Sequence, residues 1–147
     1  MSSDAWDDGI FVIQTRYPNA VFSHETALYL LGLAEREPMP VSLTLKAGTN
    51  AAGLTLQGIK VYKVKEELFG EGIIIVNSPS AHQVRTYNAE RTVCDLFRNR
   101  RNIEVQDFQS AVRNYVRSKE KNIPQLMRYA KAFSVEKRIR QYLEVLL

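Results

Sequence analysis

Few residues in this chain are of a type and spacing able to do chemistry, and each candidate set is incomplete. His24-Glu25-Thr26-Ala27-Leu28 opens like the helical motif in which two histidines four apart bind zinc, but Leu28 stands where the second histidine is required. His24 is therefore expected to be structural, at the start of a helix. Gly70-Glu71-Gly72 runs into a strand-like apolar stretch, not a helix, so it reads as a tight turn and not as a phosphate loop. The single cysteine, Cys94, excludes an internal disulfide, and with only His24 and His82 beside it there is no zinc spacing. Cys94 falls next to an apolar helix stripe, where a half-buried thiol is expected. Asp7-Asp8 and Glu66-Glu67 are adjacent pairs, and neighbours on a helix do not face one another as an acid/base pair must, so both are expected to be solvated. No catalytic residue, metal or cofactor is expected.

The remaining candidates are cations. Residues 1–84 hold 6 Lys/Arg against 9 Asp/Glu, whereas residues 85–147 hold 14 against 7, so the overall +4 conceals a basic C-terminal half. Arg113 and Arg117 lie one turn apart on a predicted helix from Val105 to Ser118, and Lys121 extends the row if that helix continues. Arg128 and Lys131 repeat the spacing on the next helix, and Lys137 and Arg140 on the last. Converging, these ridges make a surface for nucleic acid or an acidic partner; diverging, they only solubilise. No aromatic platform accompanies them in sequence. Arg91 and Asp95, four apart, read as a local ion pair worth on the order of a few tenths of a kcal/mol if exposed.

The elements that must carry these residues follow from periodicity. A 45% apolar share over 147 residues suits a single domain spanning 1–147. The longest apolar runs, such as Ile73-Ile74-Ile75-Val76, are far short of the ~20 residues of a membrane span. The acidic start lacks the features of a signal peptide, so a cytoplasmic location is expected. Helices are predicted from Asp4 to Arg16, stopped by Tyr17-Pro18, and from an N-cap at Ser23 to a C-cap at Gly32. From Pro40 the period becomes two, with Val41, Leu43 and Leu45 alternating with Ser42, Thr44 and Lys46 as in a strand with one wet face. Ile59–Val64, Gly72–Val76 and a weaker Val84–Tyr87 are further strands, with a glycine-punctuated loop between the first two. Beyond Asn88 four helices are predicted, the third capped by Asn122 with Pro124 in its first turn and the last capped by Ser134. On the last, Val135, Ile139, Tyr142, Leu143 and Leu146 form a core stripe. The expected fold class is α+β: a small mixed or antiparallel sheet of three to four strands, preceded by two helices and followed by about four.

Three ordered segments resemble the AbiEi antitoxin family: Val21-Phe22-Ser23-His24-Glu25-Thr26-Ala27-Leu28-Tyr29-Leu30-Leu31-Gly32-Leu33, Pro40-Val41-Ser42-Leu43-Thr44-Leu45, and Glu90-Arg91-Thr92-Val93-Cys94-Asp95-Leu96-Phe97-Arg98. The ending, Leu126-Met127-Arg128-Tyr129-Ala130-Lys131 through Tyr142-Leu143-Glu144-Val145-Leu146-Leu147, is similar too. The resemblance implies the C-terminal domain of a bacterial type IV toxin–antitoxin (abortive infection) antitoxin. Such a protein counters a nucleotidyltransferase-like toxin without catalysis and represses its own operon in phage defence. The family's N-terminal winged-helix domain has no room ahead of Asp4, so recognition of operator DNA would rest mainly on a missing part. The alternative function is a DNA-binding accessory or autoregulator using the C-terminal basic surface, for which the ridges Arg113, Arg117, Arg128 and Lys131 are the candidates.

Overall fold

The computed structural model describes residues 8–146. The first helix, α1 (Gly9–Arg16), begins at Asp8, whose carboxylate accepts the Phe11 N–H at 3.1 Å. Residues Asp4 to Asp7 of the predicted helix lie outside the described residues. Asp8 itself is buried, contrary to the solvated reading, and it also accepts from the Ser78 and Ser80 hydroxyls. Burial alone raises a carboxyl pKa, but these hydrogen bonds outweigh it and hold Asp8 below the usual carboxylate range. Asp8 thereby ties the start of the chain to the turn beyond Asn77.

The sheet has five strands: β1 (Val21–Phe22), β2 (Ser42–Lys46), β3 (Lys60–Val64), β4 (Ile73–Asn77) and β5 (Gln83–Tyr87), in the spatial order β3-β2-β1-β5-β4. It is mixed: β2 runs parallel to β3 and β1 to β5, while β1–β2 and β4–β5 are antiparallel. The class is α+β as expected, with one strand more than the sequence shows, and β1 lies between the two N-terminal helices, α1 and α2 (His24–Leu30). A two-residue strand is too short for any period to register.

Two short helices, α3 (Ala52–Leu56) and α4 (Glu66–Phe69), interrupt segments expected to be loop or strand-flanking. Parallel neighbours cannot be joined by a tight turn, so the β2–β3 connection must cross over, and α3 does this with Leu54 fully buried. The connection after β3 has farther to go, because β3 and β4 are opposite edges of the sheet. Four strand spacings, roughly 19 Å at ~4.8 Å each, separate them.

The sheet faces differ. Leu43, Leu45, Phe22 and Val84 pack with Ile10 of α1 and Leu54 of α3 in one apolar cluster. Ser42 and Thr44 point the other way and are equally buried. The alternation along β2 is thus as expected, but its polar face is dry. The Ser42 hydroxyl donates to the Ser23 carbonyl at 2.6 Å, and the Ser42 N–H donates to the Thr26 hydroxyl at 2.8 Å.

The second apolar cluster belongs to the helices: α5 (Ala89–Arg98), a 3-10 turn (Arg100–Asn102), α6 (Val105–Arg117), α7 (Ile123–Ala132) and α8 (Glu136–Leu146). Asn88 caps α5 by accepting the Arg91 N–H, and Asn122 caps α7 by accepting the Gln125 N–H, with Pro124 in the first turn. The start of α5 directly after Asn88 and the Asn122 cap match the sequence reading. So does Gly32, which at φ 75° closes α2, with Leu33 N–H bonded to Leu28 O at 2.8 Å. Ser23 stands at the head of α2, but its hydroxyl does not cap the helix.

Ser134 departs from expectation. It does not cap α8; its φ of 60° closes α7 in the glycine-type manner, with Val135 N–H reaching Ala130 O and Ser134 N–H reaching Lys131 O. The Val135 carbonyl then accepts the first α8 bond, from Ile139. Leu146, expected in the core stripe of α8, is also exposed. A left-handed serine is a standing strain that glycine would relieve, so Ser134→Gly is expected to stabilise the protein by about 0.5–1 kcal/mol. Thermal unfolding should show a melting temperature a few degrees higher, and a lowered one would sink the assignment.

Candidate functional site

Arg91 lies in the first turns of α5 and is wholly buried, as is its partner Asp95 one turn on. Its Nε donates to both Asp95 carboxylate oxygens at 3.2 Å. Nη1 donates to the carbonyls of Leu68 and Glu71, each at 2.7 Å. The guanidinium carbon sits 3.8 Å from the Tyr87 ring centre and 4.4 Å from that of Phe133. Gly72, at φ 85°, is needed here, because a Cβ on it would stand 2.8 Å from the Arg91 Cβ. The exposed local ion pair read from spacing is instead a fully desolvated one, and the Gly70-Glu71-Gly72 turn is part of its enclosure.

His24 is the second buried titratable group. Its backbone is left-handed, at φ 55°. The ring stacks on Tyr62 with centroids 3.6 Å apart and 12° between planes. Nε2 meets the Asn99 side-chain oxygen at 2.8 Å and Nδ1 the Ser23 hydroxyl at 2.7 Å, while Ser23 accepts from Thr44 at 2.8 Å. A neutral imidazole carrying its proton on Nε2 satisfies every member of this chain. Burial drives the pKa of His24 below 6.5, against the opposing pull of Asp95 and the Asn99 hydrogen bond. Ser23 and His24 are adjacent and bonded, yet both are sealed from solvent, so the arrangement acts as a strut between α2, β2 and the end of α5.

Glu90 makes a third buried junction, accepting from the Tyr115 hydroxyl at 2.6 Å and the Asn122 N–H at 2.9 Å. Burial and that hydrogen bond push the Tyr115 phenol up, so it stays a donor. Cys94 is completely buried, more than expected, and burial raises its thiol far above neutrality, the opposite of what a nucleophile needs. Among the described residues no group of three or more His, Cys, Asp or Glu is placed to hold a metal ion.

What opens to solvent is acidic on one side. A cleft of about 1070 Å³ lies between the segment after α2 and α6, and Glu25, Glu35, Glu37, Glu104 and Asp107 line it with only Arg36 and Lys60 in opposition. Arg36 meets Asp107 at 3.7 Å and Lys60 meets Glu25 at 3.7 Å. The second Glu25 oxygen is buried without a hydrogen-bond partner.

The predicted basic residues ride on three helices. Arg113 and Arg117 on α6, Arg128 and Lys131 on α7, and Lys137 and Arg140 on α8 are all exposed. Arg140 is partly neutralised by Glu136 at 3.2 Å, whereas the other five have no carboxylate within ion-pair distance among the described residues. Lys121 does not extend the α6 row: the helix ends at Arg117, and Lys121, half-buried, donates to the Ser118 carbonyl. The cations that do come together are others, Arg100 and Arg138, which line one pocket with Phe97 and Tyr142. Arg138 and Tyr142 share a face of α8, four apart, but Phe97 and Arg100 lie on different elements and nothing local in the sequence pairs the two arginines.

No protein-family model matches the chain, and no curated protein matches it. Among the described residues, no helix is long and apolar enough to cross a membrane.

Two outcomes test the buried groups. Arg91→Ala strands the Asp95 charge and two carbonyls, an expected loss of about 3–5 kcal/mol in urea unfolding. The double variant Arg91→Met/Asp95→Asn should lose less than the single one; a larger loss would mean that the ring stacking, not the charge pair, dominates. Because the folded pKa of His24 is depressed, the unfolded chain takes up the proton first as pH falls through about 6.5. The stability due to neutral His24 is therefore full above that pH and declines below it, by at most ~1.4 kcal/mol per pH unit. The advantage of the native protein over His24→Asn should shrink accordingly between about pH 7 and pH 5. A constant difference over that interval would refute it.

Proposed function

We propose that this chain is the antitoxin domain of a bacterial type IV toxin–antitoxin pair of the abortive-infection kind. It counteracts a nucleotidyltransferase-like toxin by binding or by opposing its effect, without catalysis of its own. One observation carries the reading. Two of the segments in which the sequence resembles the AbiEi antitoxins, 21–33 and 40–45, share a single polar junction, which the residue directly after the third, 90–98, closes from far along the chain. Ser42 and Thr44 of the second bond to Ser23 and Thr26 of the first, and His24 of the first bonds to Asn99, directly after the third. A likeness confined to scattered surface residues would have no such physical unity.

A second reading, an accessory domain that binds operator DNA, is favoured by the exposed cations Arg113, Arg117, Arg128 and Lys131 that lack carboxylate partners among the described residues. Phosphate contacts of that kind weaken steeply with salt.

Growth rescue separates the readings. Co-expressed with a toxin of the AbiE type, the chain should restore growth, and the same chain joined to a winged-helix domain should do no better. Failure of the soluble short chain where the longer form succeeds would sink the antitoxin reading for these residues alone. Arg113→Glu with Arg117→Glu should leave folding unchanged, since both project into solvent, while weakening whichever function the basic face carries. Unchanged rescue and unchanged DNA binding in that variant would remove both from the site.

A further inference from the structure

The basic residues lack an aromatic platform in sequence, but the fold sets the half-buried Tyr142 among them, backed by the buried Phe97 and Phe108. Phe97 of α5, Phe108 of α6 and Tyr142 of α8 meet edge to face in all three pairings, with centroids 4.9, 5.6 and 5.6 Å apart. Beside them the outer stripe of α8, comprising Arg138, Gln141, Tyr142 and Val145, faces Phe97 and Arg100 across a pocket of about 490 Å³. That volume lies within the range of small-molecule pockets and admits a planar ring system with room to spare.

The charges at its mouth are uncompensated. The Arg100 guanidinium lies 4.0 Å over the Phe108 ring, and Arg138 reaches the Phe97 carbonyl at 3.4 Å. Neither has a carboxylate within ion-pair distance among the described residues, and the same holds for Arg98 and Arg101 on the adjoining turn. A purely apolar occupant would leave the guanidiniums unused, and a simple inorganic anion would leave the apolar walls wet. The excess of arginines beyond the pocket further asks for an occupant whose negative charge continues past the buried group. Val145, 85% exposed on the rim, gives such a group an apolar edge to rest against, and the Gln141 amide offers both a donor and an acceptor.

From this geometry we propose that the pocket takes one unstacked base of a single-stranded nucleic acid, with Arg100 and Arg138 on the phosphates to either side. A planar, apolar-faced unit carried on a chain of phosphates is the chemistry that satisfies both halves of the site. Duplex bases, paired and stacked, cannot enter it. Neither the antitoxin reading nor the ridges Arg113/Arg117 enter this inference.

The test is fluorescence anisotropy with a fluorescein-labelled oligothymidylate of ten nucleotides at low salt. The expected result is saturable binding that weakens as salt rises and is reduced by about tenfold or more in Arg100→Gln/Arg138→Gln. Val145→Glu, which sets a carboxylate on the rim from an exposed helix position, should weaken binding comparably without changing the melting temperature. Arg113→Gln/Arg117→Gln should stay within about twofold of the native protein. A duplex of the same length should bind more weakly than the single strand, and adenosine monophosphate far more weakly. Any of four results overturns the proposal: no anisotropy change, equal binding of the duplex, equally tight binding of the mononucleotide, or loss of binding from the α6 pair with none from the pocket variants.

Discussion

A guanidinium with no water around it constrains this fold more than any other single group. Removing such an ion from solvent costs several kcal/mol, and the cost is offset only if the ion's hydrogen bonds and its charge are answered within the protein. Arg91 is answered at Nε by Asp95 on its own helix, at Nη1 by the carbonyls of Leu68 and Glu71, and on its faces by the rings of Tyr87 and Phe133, while its buried Nη2 has no hydrogen-bond partner. The two carbonyls belong to the connection that carries the chain from one edge of the sheet to the other. That connection buries few apolar side chains of its own, with Leu68 the buried residue of its short helix. Arg91 therefore fastens the connection that runs from one edge of the sheet to the other, and Gly72 is required because the fastening brings its backbone against the Arg91 side chain.

The seam between β2 and α2 is polar, which is unusual between a sheet and its helices. Ser23, Thr26, Ser42, Thr44 and His24 lie there with their hydrogen-bonding groups matched to one another. A matched polar seam specifies register more sharply than an apolar one. Slipping β2 by one residue would place Leu43 and Leu45 against the Ser23/Thr26 groups and drive Ser42 and Thr44 into the cluster around Phe22 and Leu54. Each orphaned group would carry a desolvation penalty of roughly 1–3 kcal/mol. The seam also holds His24 neutral, so the protonation of one ring bears on the whole junction.

What could be read from sequence was what depends on near neighbours. Helix stripes, the Asn122 cap, Pro124 and Gly32 all act within a turn or two of themselves, and the structure has them where periodicity and capping chemistry put them. The alternation of β2 was legible; whether its polar face met water was not, because α2 covers it from elsewhere in the chain. β1 escaped because two residues carry no period, and Ser134 because serine is common at helix starts and rare in left-handed closures. The candidate site was the least legible part. The His24–Asn99 bond spans 75 residues and the Arg91–Leu68 bond 23, and nothing local in Arg91-Thr92-Val93-Cys94-Asp95 distinguishes a buried ion pair from an exposed one. The pocket cations were hidden for the same reason: Arg100 and Arg138 acquire meaning only when α8 folds back on α5.

The placement of charge around the 3-10 turn completes the physical picture. Arg100 at its start lines the apolar pocket, and Asn102 at its end lines the acidic cleft. The two ends of so short a turn lie within about one Debye length at physiological salt, so the potentials on its two sides are not screened from each other. The carboxylates of Glu25, Glu104 and Asp107 therefore repel any polyanion that approaches past the turn, while the arginines attract it on the near side. The boundary would keep a chain of phosphates proposed to lie at Arg100 and Arg138 from crossing into the cleft.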